Sequence, residues 1–141
     1  MMKKKIIYTA GVFDCFHIGH LNLLREASKM GDKLIVGVST DELVKEYKGI
    51  EPIIPFTERL EIVKSIKYVD EVVPQRDRDK LKALEFINFD IWVIGDDHKR
   101  DDYYTNIEKC FSERGIKTIW LKYTKGISST KIRNLLNNGG R

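Results

Sequence analysis

Five short runs rich in β-branched and apolar residues punctuate the chain, at residues 4–10, 32–39, 71–73, 91–94 and 117–121, and segments of helical period lie between them. Strands that run parallel need such intervening crossovers. The alternation therefore predicts an α/β fold: a single doubly wound, Rossmann-like domain over residues 1–141. Its five-stranded parallel sheet carries helices on both faces, right-handed crossovers and a ligand crevice at the carboxyl ends of the strands. The run 32–39 is apolar almost without alternation, the pattern of a strand covered on both faces.

The helical segments are read from spacing. Leu21, Leu24 and Ala27 mark the first, which is expected to stop at Gly31 in a left-handed cap. Ser39, Thr40 and Asp41 offer caps for a short second helix. Residues 49–55 contain two prolines and a glycine and form a loop. Leu60, Val63 and Ile66 then mark a helix opened by Thr57 and Glu58. Leu81, Leu84 and Ile87 mark another, Ile107 and Phe111 a further one, and Ile132, Leu135 and Leu136 the last, capped by one of Ser128, Ser129 or Thr130. Residues 137–141 read as a polar tail.

At 141 residues and 42% hydrophobic, the chain can bury a core without disulfides or structural metal. No stretch approaches the roughly 18 apolar residues of a membrane span. The lysines at the start precede an apolar run that stops after Tyr8, which does not suit an export signal. Cys15 and Cys110 stand far apart with no Cys-x-x-Cys or Cys/His spacing, so no disulfide framework or zinc site is indicated, and a cytoplasmic location is expected. The net charge of +4 is spread along the chain. It suits anionic small molecules; no nucleic-acid motif accompanies it.

Three segments carry the chemistry. His17-Ile18-Gly19-His20 stands where the first strand's loop becomes a helix. Residues three apart share a helix face, so both imidazoles can flank one anionic group beside the helix's unpaired N–H groups. Gly19 between them permits close approach to the backbone. A metal pair is the competing reading, but helical ligands favour an i, i+4 spacing and a third residue. Gly126-Ile127-Ser128-Ser129-Thr130 opens the last helix and offers a second anion-ready start at the same end of the sheet. Gly95-Asp96-Asp97-His98 follows the fourth strand there, where carboxylates can hold an ion, a base amine or a ribose hydroxyl. Lys48 and Arg59 lie in and beside the proline-containing loop, within reach of phosphates. No Gly-x-x-x-x-Gly-Lys-Ser/Thr loop occurs, so P-loop chemistry is not expected.

These residues resemble a known family. Gly-Val-Phe-Asp before His-Ile-Gly-His, Met-Gly-Asp-Lys-Leu-Ile-Val-Gly-Val-Ser-Thr-Asp-Glu, Tyr-Val-Asp-Glu-Val-Val-Pro, Gly-Asp-Asp and Gly-Ile-Ser-Ser-Thr-Lys-Ile are similar to segments of the small cytidylyltransferases typified by glycerol-3-phosphate cytidylyltransferase. The resemblance implies that His17, His20 and Lys48 are catalytic. It implies a nucleotide site of Gly11, Val12, Phe13, Gly19, Asp96, Gly126, Ile127, Ser128, Ser129 and Thr130 together with the two histidines. It further implies Lys48, Arg59 and Lys67 as contacts to the second substrate, Mg²⁺ as cofactor, no assigned metal ligand in the chain, and a homodimer. CTP and a phosphorylated small alcohol would be the substrates, giving a CDP-alcohol and pyrophosphate. ATP with another acceptor, or a non-catalytic nucleotide-binding module, are the alternatives. One departure is plain: Tyr123 and Lys125 stand where the family has arginine and glutamate, and a tyrosine cannot replace a guanidinium fork.

Overall fold

The computed structural model describes residues 3–122 and 124–138. Strands β1 (Ile6–Gly11), β2 (Lys33–Ser39), β3 (Glu71–Gln75), β4 (Ile91–Gly95) and β5 (Lys117–Leu121) pair in the order β3-β2-β1-β4-β5, each pair parallel. Helices α1 (Ile18–Ser28), α2 (Asp41–Lys48), α3 (Phe56–Lys64), α4 (Asp102–Glu113) and α5 (Ser129–Asn137) complete the alternation. The α/β class and the five-stranded parallel sheet agree with the sequence reading.

The period of two along the strands sorts the core into two layers. Ile7, Leu34, Val36, Val38, Ile91 and Val93 pack with Leu24 and Ala27 of α1 and Val63 of α3. Tyr8, Ile35, Trp92 and Ile94 pack with Ile107 and Phe111 of α4 on the other face, Trp92 meeting Phe111 edge-on at 5.1 Å. Full burial of a side chain of this size contributes roughly 1.5–3 kcal/mol, so the central strands anchor both layers.

Strand order reverses between β1 and β4, and the two strands separate there. Their ladder pairs only Ile7 with Ile91 and Tyr8 with Trp92, whereas β1 and β2 stay in register for six pairs. Beyond Tyr8 the Thr9 hydroxyl donates to the Val93 carbonyl at 2.8 Å, a side chain bridging the widening gap. The carboxyl halves of β1 and β4 are thereby held open as the floor of a crevice.

Three local expectations are corrected. Gly31 is not a left-handed cap; α1 ends at Lys29 in right-handed geometry. A Cβ on Gly31 would lie 2.9 Å from the Lys5 carbonyl, so this glycine lets the turn pass close against the strand. Leu81, Leu84 and Ile87 do not lie on an α-helix: residues Lys80–Glu85 form a 3₁₀ helix, with Ile87 just past it. The spacing of three between Leu81 and Leu84 is the 3₁₀ period, which puts both on one face toward the α4 layer, and Ile87 joins that cluster from beyond the helix end. Ile66 lies beyond the end of α3, packed against the core from the following turn.

Candidate active site

The crevice is a cavity of about 370 Å³ at the carboxyl ends of the strands. The loop after β1 enters it through two non-glycine residues at positive φ, Phe13 at 55° and Cys15 at 50°. Each such residue costs of order 1–3 kcal/mol, and the tertiary contacts around Asp14 hold the loop in this shape. Asp14 is 4% exposed, and its carboxylate accepts from Ile53 N at 2.8 Å, Ile54 N at 2.9 Å and Arg133 Nη2 at 3.0 Å. Its carbonyl accepts from Ser129 Oγ at 2.6 Å. One residue thus ties the β1 loop, the proline-containing loop and α5 together.

His17 is the N-cap of α1. Its Nδ1 accepts from Gly19 N at 3.0 Å, and His20 Nδ1 accepts in turn from His17 N at 3.2 Å. A nitrogen that accepts carries no proton, so both neutral rings hold their hydrogen on Nε2. The rings stack at 3.8 Å, and Phe13 and Phe16 close on His20 at 5.3 and 5.2 Å. Burial, then the neighbouring His17, pushes His20 down to about 3, and burial also lowers His17. The pair is therefore neutral near pH 7 and presents two Nε2–H donors. Gly19 is required by the His17 cap itself: a Cβ there would lie 2.8 Å from His17 Cε1.

Part of the wall belongs to the start of α5. Ser128 Oγ caps it by accepting from Lys131 N at 3.0 Å, and Ile127, Ser128, Ser129 and Thr130 all line the cavity. Lys48, at the end of α2, also lines it. Burial lowers the Lys48 ammonium, with Arg133 adding to the effect, so the two cations face the same space. Lys122 joins them on the wall.

The structure brings His17, Gly19, His20, Lys48, Gly11, Val12, Phe13, Ile127, Ser128, Ser129 and Thr130 to one cavity. It does not bring the remaining expected residues there. Arg59, expected on phosphates, is 1% exposed and donates to Ile54 O, Val12 O, Ser39 O and Asp41 Oδ1 at 2.7–2.8 Å. It is an internal tether with no edge left for substrate. Lys67 lies on the turn before β3, at the amino ends of the strands, over the Tyr68 ring at 5.2 Å. Asp96 is exposed and off the wall, where its neighbours Asp97 and His98 stand instead. Gly126 turns the loop at φ 89° without lining the cavity. Tyr123 lies outside the described residues.

Sequence reading missed Asp14 and Arg133. Asp14 was legible as the residue directly after the first strand's loop begins to turn, and Arg133 as a cation one turn into a helix whose start lines the site.

Residues 8–135 match the Cytidylyltransferase-like family. The chain is 38% identical over 136 residues to glycerol-3-phosphate cytidylyltransferase of Staphylococcus aureus, covering 96% of both chains. It is 42% identical over 101 residues to FAD synthase of Thermococcus sibiricus, 70% of this chain and 68% of that one. It is 33% identical to the bifunctional protein HldE of Hydrogenovibrio crunogenus but spans only 27% of that protein's length. A lipopolysaccharide core biosynthesis protein from Thermoplasma volcanium superimposes with a TM-score of 0.72 at 28% identity, over 89% of this chain and all of that one. The chain belongs to the cytidylyltransferase-like family and is a nucleotidyltransferase. Among the described residues no helix is long and apolar enough to cross a membrane.

Proposed function

We propose that the protein transfers CMP from CTP to a small phosphorylated alcohol such as glycerol 3-phosphate, releasing pyrophosphate. The observation that carries this reading is the stacked, neutral His17–His20 pair lining one cavity together with the α5 start. The 38% identity over nearly the full length of a glycerol-3-phosphate cytidylyltransferase supports the choice of nucleotide and acceptor.

An acceptor phosphate is already anionic, so attack needs no protein base. One of its oxygens bonds to the α-phosphorus of CTP, the bond to the α–β bridging oxygen breaks, and pyrophosphate departs. Negative charge grows on the α-phosphoryl oxygens during this step. The two Nε2–H groups donate to them without transferring a proton, and Lys48, Lys122 and Arg133 with the α5 N–H groups hold the departing phosphates. The strained loop and the Asp14 clamp keep these donors in place before substrate arrives.

Mg²⁺ is expected to enter with the triphosphate, where it would neutralise charge on the phosphate oxygens. Among the described residues no three His, Cys, Asp or Glu side chains form a cage, and Asp14 is engaged by three donors. That donor set suits an ion carried on phosphates with several waters retained.

A second reading, adenylyl transfer from ATP, is favoured by the identity to an FAD synthase. Pyrophosphate release measured with CTP or ATP against glycerol 3-phosphate, other polyol phosphates and flavin mononucleotide tests both. Turnover with CTP and a polyol phosphate is expected; turnover only with ATP would replace the first reading by the second.

A further inference from the structure

Behind the cavity wall a short polar chain links the two helices whose starts line it. Asn22 and Arg25 follow His20 on α1; both are half-buried, and neither lines the cavity. Residues three apart share a helix face, and Arg25 Nη2 donates to Asn22 Oδ1. Asn22 Nδ2 donates in turn to Thr124 Oγ1 at 3.2 Å, on the loop between β5 and α5. Thr124 does line the cavity.

These partners fix how each group is turned. A guanidinium nitrogen only donates, so the Asn22 atom it meets is the carbonyl oxygen, and the NH₂ group is left for Thr124. That NH₂ group only donates as well, so the Thr124 hydroxyl accepts from it. The hydroxyl's own proton is therefore directed away from Asn22, to an acceptor elsewhere, and Thr124 stands on the wall where a phosphate would supply one. The order guanidinium, amide, hydroxyl polarises each bond in the same sense, so an arginine that stands off the cavity strengthens a donor on its wall.

The backbone around Thr124 does not depend on this chain alone. Ser129 Oγ donates to the Asp14 carbonyl at 2.6 Å. Ile127 packs over Gly19, where a Cβ would stand 3.7 Å from its Cγ2. The start of α5 is thus docked on the β1 loop and α1 by other contacts, and what Asn22 adds is the direction of one hydroxyl proton.

We propose that Asn22, oriented by Arg25, is a positioning residue that turns the Thr124 hydroxyl proton into the cavity to meet a phosphate oxygen of the nucleotide. The choice of CTP as probe rests on the cytidylyl-transfer reading.

The test is a double-mutant cycle of Asn22→Leu and Thr124→Val. It is read by calorimetric titration of CTP, by CTP KM and kcat in pyrophosphate release with glycerol 3-phosphate, and by thermal unfolding. Asn22→Asp is added because a carboxylate keeps the bond from Arg25 but only accepts, and so draws the Thr124 proton out of the cavity. A hydrogen bond to a charged phosphate predicts CTP binding about tenfold weaker in Thr124→Val and at least about fivefold weaker in Asn22→Leu, carried by KM with kcat within about threefold. The double variant should match Thr124→Val within about twofold, because Asn22 acts only through that hydroxyl. Asn22→Asp should unfold no earlier than wild type yet bind CTP at least about fivefold more weakly, a combination that a purely structural role for Asn22 does not produce. Wild-type CTP affinity in Asn22→Leu or Asn22→Asp overturns the inference. So do losses that multiply in the double variant, or a fall in kcat with KM unchanged. If Asn22→Leu does not fold, Asn22→Asp with and without Thr124→Val decides by the same criteria. A wild type that binds ATP and not CTP would instead sink the cytidylyl-transfer reading, and the same cycle run with ATP then decides on Asn22; binding of neither nucleotide overturns both.

Discussion

Replacing Gly19 by alanine should separate folding from catalysis in this site. The new Cβ would stand 2.8 Å from His17 Cε1 and 3.0 Å from its Nδ1, closer than real Cβ contacts, and 3.7 Å from Ile127 Cγ2. The His17 ring is the element that can yield. Its rotation breaks the bond accepted from Gly19 N and the stack on His20. A lost N-cap bond costs about 1 kcal/mol, while alanine in place of glycine within a helix returns about 1 kcal/mol. Stability should therefore change by no more than about 1 kcal/mol, a Tm shift of roughly 3 °C for a chain of this size. Catalysis should suffer far more, because a displaced His17 no longer donates to the reacting phosphoryl group, and such a donor is worth about 10²- to 10³-fold in kcat. The assays are pyrophosphate release at saturating CTP and glycerol 3-phosphate, CTP binding by calorimetry, and thermal unfolding. More than about a fifth of wild-type kcat in Gly19→Ala would refute the placement of His17 by this contact. Loss of several kcal/mol of stability would show that the glycine serves folding instead.

Other perturbations test other parts of the structure. His20 is held near 3 when folded and takes the ordinary histidine value when unfolded, so between those values the unfolded chain binds the additional proton. Stability should then rise with pH across that window, and lowering the pH from 6.5 to 5 should remove about 2 kcal/mol on account of His20, read by denaturant unfolding; His20→Asn should flatten this slope. Nitrogen-15 NMR of labelled histidines at pH 7 should show both rings neutral and protonated at Nε2, and an Nδ1–H tautomer at either ring would contradict the cap geometry. Arg59→Lys should cost roughly 3–5 kcal/mol, since one ammonium cannot replace a guanidinium bonded to three carbonyls and Asp41; a stable variant with a selective loss of CTP affinity would restore Arg59 to the site. Asp14→Ala should leave two loop N–H groups and Arg133 without their acceptor, lower stability by about 2–4 kcal/mol and raise the CTP KM, measured by unfolding and steady-state kinetics.

What the sequence made legible was periodic or local. Continuous apolar runs announced the strands, and helix starts announced themselves by His17 and by the hydroxyls of residues 128–130, among which the structure selects Ser128 as the cap, so the sheet and both helix starts that line the cavity could be read directly. Direction in space could not. Arg59 and Lys48 are both basic residues near one loop, yet α3 turns Arg59 into the protein while α2 ends with Lys48 at the cavity. Lys67 shares a basic character with both and sits at the wrong end of a strand. Asp14 and Arg133 meet only through tertiary packing, and the positive φ at Phe13 and Cys15 left no trace because neither residue is glycine.

The parting of β1 from β4 has a consequence for how such a protein changes its ligand over time. Past Tyr8 and Trp92 the two strands no longer complete each other's ladder, and the residues at the carboxyl ends of both, from Thr9 to Gly11 and from Val93 to Gly95, line the cavity with main chain as well as side chains. Main-chain atoms are present whatever side chains occupy those positions, so this part of recognition survives substitution. Variation can then accumulate in the side chains around it, and one nucleotide-holding frame can be fitted with different acceptor pockets without being rebuilt.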